Sequence, residues 1–302
     1  MNKKVVIVGC GNVGMSYAYA LLNQKTDVQE LALIDLDKDR IEGEVMDLNH
    51  CLAFAPAPMN IKVGDYSDCK DANIVMIAAG ANQNPGETRM DLINKNAKIF
   101  KTIIHDVMAN DFKGIFLIAT NPLDVMTYLT YKYSGLPSNR VIGSGTSLDT
   151  SRLRYLISEK LSINPKNIHA YVIGEHGDSE FVPWTNANIG LQNIRDYLSE
   201  KELEEIVSKV RNSAYEIINR KGATYYGIGM SLVRITNAIL GDENTIIAVS
   251  SYDKNNDVYV GGPTILNKDG VVKRIFVELN PEETIKLQNS IDIIKDAIKS
   301  VE

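Results

Sequence analysis

The sequence predicts a doubly wound parallel α/β sheet followed by a C-terminal α+β half. Two observations predict it. Up to residue 143, six short apolar runs alternate with helix-period segments, the pattern of strands covered on both faces and joined by crossover helices. Beyond Gly143 the alternation stops, and long helices lead into closely spaced β-branched runs, as in an antiparallel meander. The expected division is a first domain over residues 1–143 and a second over 144–302.

Val5–Val8 is a β-branched run suited to a buried parallel strand. Gly9-Cys10-Gly11-Asn12-Val13-Gly14 follows at once, then Met15, Ala18, Leu21 and Leu22 at helical spacing. The run 31–34 ends in Asp35, and Ile41, Val45, Leu48 and Leu52 mark a second helix. Residues 61–63 read as a weak strand and 74–78 as a strong one. A polar loop over 80–90 precedes a long amphipathic helix from Leu92 to Val107. The strand over 115–119 stops at Thr120-Asn121-Pro122; a helix and the short run 141–143 close the first half. The second half opens with a helix over about 148–161 and a β-like run over 169–173. Helices over about 202–220 and 225–240 follow, then strands near 246–249, 258–260 and 271–279. Pro281 opens the last helix, with Glu282 and Glu283 favouring its dipole.

Composition narrows the functional classes. The chain has 302 residues, 44% hydrophobic and 23% charged, an ordinary globular balance. A formal net charge of −6 and a pI near 5.4 argue against nucleic acid or an anionic membrane as partner. Local arginines must therefore hold any anionic substrate. Cys10, Cys51 and Cys69 have neither metal nor redox-motif spacing, which fits a cytoplasmic setting and no metal. No run reaches the roughly 20 apolar residues of a membrane span. The apolar stretch after Lys4 is too short for a signal peptide.

Gly9-x-Gly11-x-x-Gly14 sits between a strand and a helix, and Asp35 closes the next strand 21 residues beyond Gly14. That context is the dinucleotide-binding fingerprint of a Rossmann sheet. Gly9 permits the tight turn, Gly11 lets the backbone approach a pyrophosphate, and Gly14 permits close helix–strand packing. The helix N-terminus stabilises the negative charge. A carboxylate at Asp35 accepts hydrogen bonds from a ribose diol and repels a 2′-phosphate, so NAD is favoured over NADP.

The loop from Gly80 to Arg89 follows a strand's carboxyl end, where open α/β sheets bind ligands, and its polar, hinge-like make-up suits a lid. Asn121-Pro122 ends another strand on the same edge. The stretch 172–179, Val-Ile-Gly-Glu-His-Gly-Asp-Ser, places His176, one of four histidines, between two glycines. Imidazole is the side chain best suited to moving protons near neutral pH. Asp149, Arg152 and Arg154 lie near a helix start. Taken singly they read as a helix-start carboxylate and solvated arginines; beside a cofactor fingerprint they read as chemistry.

Together these motifs make the chain resemble the lactate/malate dehydrogenase family, and within it the bacterial type of L-lactate dehydrogenase. The resemblance spans essentially the whole chain. It rests on Gly-Cys-Gly-Asn-Val-Gly, Pro-Gly-Glu-Thr-Arg, Ala-Thr-Asn-Pro-Leu-Asp, Gly-Ser-Gly-Thr-Ser-Leu-Asp-Thr-Ser-Arg and Gly-Glu-His-Gly-Asp-Ser, in family order. It implies reversible hydride transfer between NADH and pyruvate, giving L-lactate. The alternatives are a malate or broader 2-hydroxyacid dehydrogenase and, from another class, a non-catalytic NAD-binding sensor. A pure binder has no need of His176, Asp149, Arg152 and Arg89 together.

The resemblance also implies roles. His176 donates and accepts the proton, and Asp149 orients it and stabilises the imidazolium. Arg152 holds the substrate carboxylate through a forked contact. Arg89, on the loop, polarises the carbonyl. Asn121 and Thr224 join the substrate site, and Gln83 faces the substrate side chain where malate enzymes carry arginine. Gly9, Gly11, Val13, Gly14, Asp35, Arg40, Tyr66, Gly80, Ala81, Ala119, Asn121 and Ser144 lie along the NAD cofactor. The first domain is then NAD-binding and the second holds the substrate.

Two departures stand out. The order Phe181-Val182-Pro183-Trp184 differs from the family's Pro-Val-Trp, which leaves that wall of the pocket open to question. The first strand begins almost at residue 1, so the subunit-embracing arm of animal enzymes is not expected. Arg154 needs an explanation of its own, because helix residues two apart point about 200° from each other. It and His169 match positions that bind fructose 1,6-bisphosphate across a subunit interface in bacterial relatives. The resemblance thus implies an allosteric effector and a homotetramer, or a ligand-dependent dimer and tetramer.

Overall fold

A computed structural model describes residues 3–81 and 89–301, with Arg89 described by its backbone alone. Gln83 lies outside the described residues. Six parallel strands alternate with helices in the first half. They are β1 (Lys4–Val8), β2 (Glu30–Ile34), β3 (Asn60–Val63), β4 (Ile74–Ile77), β5 (Ile115–Ile118) and β6 (Val141–Gly143). The helices between them are α1 (Asn12–Asn23), α2 (Lys38–Cys51), α3 (Arg89–Met108) and α4 (Leu123–Ser134). The strand order β6-β5-β4-β1-β2-β3 puts the reversal of direction between β1 and β4, where open sheets form their ligand crevice.

Apolar runs become buried strands here because both faces are covered. Val6 and Val8 pack with Val75, Ile77, Phe100 and Ile104 on one side. Val5 and Ile7 pack with Tyr17, Leu21, Ile74 and Met76 on the other. The period-two alternation thus feeds two separate cores.

The second half begins with α5 (Ser147–Leu161), β7 (Ile168–His169), β8 (Asn188–Ile189) and β9 (Gln192–Asn193). Then come α6 (Glu200–Lys221), α7 (Tyr226–Leu240), β10 (Thr245–Asp253), β11 (Val258–Asn267), β12 (Gly270–Arg274) and α8 (Pro281–Lys299). Reciprocal capping boxes, Ser199 with Glu202 and Asn280 with Glu283, start α6 and α8. A third core joins Leu153 and Ile157 of α5 to Leu203, Ile206 and Val210 of α6.

Two expectations are corrected. The β-like run over 169–173 is strand only in β7, with Ile173 adding an isolated antiparallel bridge to Phe181. Val172 instead gives its N–H to Thr150 Oγ1 at 3.0 Å and its carbonyl to Thr146 Oγ1 at 2.6 Å, so α5 takes the groups a ladder would use. The last strand stops at Arg274, short of 279. The residue it would next pair with is Pro263, which can accept from Ile275 but has no N–H to return. The antiparallel meander forms as expected and joins the first sheet. β10, β11 and β12 extend the first sheet beyond β6 in antiparallel fashion, with Ser250 opposite Gly143.

Candidate active site

The carboxyl ends of β1, β4, β5 and β6 bring the expected cofactor residues to one edge of the sheet. Gly9 has a φ of 93°, and a Cβ there would lie 2.3 Å from Ala79 N. A Cβ on Gly14 would lie 2.1 Å from Gly9 O. These glycines are required by the protein's own packing. Gly11 differs: among the described residues its Cβ would meet nothing within 4 Å. It caps α1 without any side chain, so open space lies over a helix N-terminus, which fits a pyrophosphate.

Asp35 Oδ2 accepts the Cys10 N–H at 2.7 Å and Oδ1 accepts the Asp37 N–H at 3.1 Å. It therefore ties the glycine loop to the end of β2 while staying partly exposed at the crevice. Arg40 is exposed beside it in α2 and pairs with Glu44 at 3.4 Å. Val13 lies on α1, and Tyr66 is half-buried at the start of a turn after β3. Ala119 and the buried Ser144 give their N–H groups to Ile77 O and Ile118 O, extending the sheet by one bond each. Asn96 of α3 accepts the Ala81 N–H and donates to Asn121 O, both at 2.8 Å. It bridges the carboxyl ends of β4 and β5, next to Gly80. Asn121 itself is exposed and precedes a cis proline.

His176, Asp149 and Arg152 come together. Asp149 and Arg152 occupy the first turns of α5, one helical step apart. His176 Nδ1 lies 2.9 Å from Asp149 Oδ2, and Arg152 Nη1 donates to Asp149 Oδ1 at 2.7 Å. The Asp149 side chain is 4% exposed and that of His176 26%. Burial disfavours the charged imidazole, but the Asp149 charge and hydrogen bond outweigh it and hold the His176 pKa up at about 9. Burial likewise penalises the Asp149 carboxylate, yet His176 and Arg152 keep it below the usual range. Gly227 packs against Leu148, which brings the link carrying Thr224 towards the start of α5. Among the described residues, Thr224 makes no bond to the His176 group. Arg89 begins α3.

Arg154 points elsewhere, as its position on the helix requires. Its Nε donates to Ala170 O at 3.0 Å, and its guanidinium lies 4.8 Å from the Tyr171 ring centre. His169 is exposed and lines a cleft of about 200 Å³ with Tyr171, Pro183 and Phe276.

Sequence reasoning missed three groups here. Asp124 is 2% exposed; its Oδ2 accepts the His176 backbone N–H at 2.8 Å, and its Oδ1 accepts the Ser250 hydroxyl. It stands at the end of the Asn-Pro-Leu-Asp motif, which was signal enough to ask what it does. Glu180 is buried near His176, and Asn96 is the bridge already described. Nothing local in sequence marks these two.

The chain matches two family models: the lactate/malate dehydrogenase NAD binding domain over residues 3–143, and the lactate/malate dehydrogenase alpha/beta C-terminal domain over 146–302. It is 50% identical to L-lactate dehydrogenase 1 of Bacillus cereus over 99% of this chain and 98% of that one. A lactate dehydrogenase from a Medee basin deep-sea metagenome library superposes with a TM-score of 0.97 at 54% identity, over 99% of both chains. The minor L-lactate dehydrogenase of Enterococcus mundtii, in its ligand-bound form, gives 0.97 at 44% identity over 100% of this chain and 99% of that one.

Proposed function

The chain belongs to the lactate/malate dehydrogenase family and is an NAD-dependent L-lactate dehydrogenase; from that premise we propose how its own residues interconvert pyruvate and L-lactate. The observation that supports the reading most directly is the sharing of one buried carboxylate, Asp149, between His176 and Arg152. With Nδ1 held by Asp149, His176 presents Nε2 to the substrate and carries the transferable proton there. Arg152 spends one N–H on Asp149; the rest of its fork takes the carboxylate of pyruvate. NADH, when bound, supplies the hydride that reaches the carbonyl carbon.

His176 passes its proton to the carbonyl oxygen as charge develops there, and Arg89 and Asn121 are assigned to that oxygen from the motif match. Thr224 and Gln83 are assigned to the substrate's side-chain end. Gly9, Gly11, Val13, Gly14, Asp35, Arg40, Tyr66, Gly80, Ala81, Ala119, Asn121 and Ser144 are assigned to NAD. Residues 1–143 form the NAD-binding domain on this reading and 144–302 the substrate domain. We assign the chain to the cytoplasm, where its three free cysteines stay reduced. No helix among the described residues is long and apolar enough to cross a membrane.

Arg154 and His169 are proposed as a fructose 1,6-bisphosphate site in a homotetramer, or in a dimer that the ligand converts to one. The support is that Arg154 turns away from Asp149 towards the segment carrying His169. The experiment for the reaction is NADH oxidation with pyruvate and with oxaloacetate. Pyruvate-dependent loss of NADH absorbance is expected. Preference for oxaloacetate favours the malate reading, and no oxidation with either substrate overturns the assignment.

A further inference from the structure

One buried acid facing the proton relay has no role in the scheme above. Glu180 lies four residues beyond His176 and is 5% exposed. A carboxyl oxygen of Glu180, one of Asp149 and a ring nitrogen of His176 all lie within 4.8 Å of one another. Its backbone is held on both sides. The N–H donates to Gly177 O, and the carbonyl accepts Arg211 Nη2 at 2.6 Å and Nε at 3.3 Å. Among the described residues none hydrogen-bonds to the carboxyl itself.

The charged groups facing Glu180 are Asp149 and Arg152 from α5, His176 from its own loop and Arg211 from α6. Burial, and then the Asp149 charge, push the Glu180 carboxyl up to about 8 against the three cations. Two neighbouring carboxyls cannot both ionise cheaply in a dry site, and the one bonded by a histidine and an arginine keeps its charge. Asp149 is therefore the anion and Glu180 the acid. These ligand atoms are also spaced for a cation. Arg152 on the other Asp149 oxygen and Arg211 beside Glu180 oppose one electrostatically.

The substrate brings one more negative charge, its carboxylate, to Arg152. An ionised Glu180 would stand against it; a protonated one would not. Resting on the roles of Arg152 and His176 given above, we propose that Glu180 is a second proton-holding group of the site, kept as a carboxylic acid while the 2-oxo acid is bound. Binding then requires the His176 proton and draws a second one from solvent onto the Glu180 carboxylate whenever that group was ionised.

The test is binding of oxamate, an unreactive isostere of pyruvate, to the NADH complex across pH about 7 to 10, for wild type and Glu180→Gln. Above both transitions the wild-type affinity should fall roughly 100-fold per pH unit, against roughly tenfold for the variant, because each linked proton adds a factor of ten. Calorimetry in buffers of different ionisation enthalpy should show proton uptake near pH 8 that the variant lacks. The wild-type infrared spectrum should show a protonated carboxyl that bleaches as pH rises through about 8. That band decides the matter even if Glu180→Gln fails to bind NADH. Equal slopes in the two proteins, or no such band, overturn the role of Glu180 alone. Oxamate failing to bind wild type at any pH overturns the substrate reading, and this proposal with it.

Discussion

His176 and Asp149 form a 2.9 Å pair whose carboxylate half is almost wholly shielded from solvent. On the proposed mechanism the pair sets the upper end of the pH range of the reaction. The folded pKa of His176, about 9, lies above the ordinary histidine value, so the imidazolium needed to protonate the carbonyl oxygen persists well past neutrality. Pyruvate kcat/KM should begin to fall as pH passes about 8, where Glu180 loses its proton, and steepen through about 9, where His176 loses its own. Asp149→Asn removes the group that raises the pKa, and the fall should move down by roughly 1 to 2 units. His176→Ala should lower kcat by roughly 100- to 10,000-fold and leave NADH binding intact, since its site lies across the crevice. Rate–pH profiles and a fluorescence titration with NADH check this. An unchanged profile for Asp149→Asn would remove the pair from the mechanism.

Asp124 holds the same histidine by its backbone. Burial raises its pKa to about 6. A carboxyl raised above its unfolded value binds more protons when folded, so its contribution to stability weakens as pH rises from about 4 to 6, opposite to a salt-bridged acid. The melting-temperature gap between wild type and Asp124→Asn should therefore change across that interval. Asp124→Ala strands the His176 N–H and should cost about 1–3 kcal/mol. It should also lower kcat without weakening NADH. A constant melting gap, or full activity in Asp124→Ala, would contradict this account.

What could be read from the residues depended on whether the signal was local. β1 to β6 were legible because a strand buried on both faces must be a short apolar run, and the glycine loop because Gly9 and Gly14 have no room for a Cβ. His176, Asp149 and Arg152 were legible as motif residues, though their sharing of one carboxylate was not. β7 was overread because Val172 looks like strand, while its backbone partners are hydroxyls 22 and 26 residues away. The same limit hid Glu180, an acid in an unremarkable loop whose meaning comes from Asp149 and Arg211 on two distant helices. The joining of β10 to β6 rests on one residue pair, which no periodicity announces.

Gly11 and Gly14 should separate cofactor binding from folding. Gly14→Ala forces a Cβ to 2.1 Å from Gly9 O. It should destabilise by about 1–3 kcal/mol, as overpacking does, and weaken NADH as a consequence. Gly11→Ala places its methyl where no described residue lies within 4 Å. It should leave the melting temperature within about a degree, since surface changes stay near ±0.5 kcal/mol. NADH affinity should nevertheless fall at least roughly tenfold, about 1.4 kcal/mol, because the methyl occupies the pyrophosphate's approach. Normal NADH binding by Gly11→Ala would move the cofactor off this loop.

Arg154 carries the regulatory prediction. It lies two residues from Arg152, yet its guanidinium stacks on Tyr171 and bonds Ala170 O, beside the exposed His169. A cation with no acidic partner among the described residues suits a phosphate better than a solvated surface role. A twofold axis next to this segment would gather two Arg154 and two His169, and their mutual repulsion would oppose assembly until an anion neutralised it. Fructose 1,6-bisphosphate should then lower the pyruvate concentration giving half-maximal rate, and should shift a dimer towards a tetramer in sedimentation velocity. Arg154→Gln should abolish both responses while keeping kcat at saturating pyruvate, and His169→Gln should weaken them. A coupling of 1–3 kcal/mol would appear as roughly 5- to 150-fold in apparent affinity. Unchanged half-saturation and unchanged sedimentation at saturating bisphosphate would delete the effector site and leave the reaction assigned to His176 and Asp149 intact.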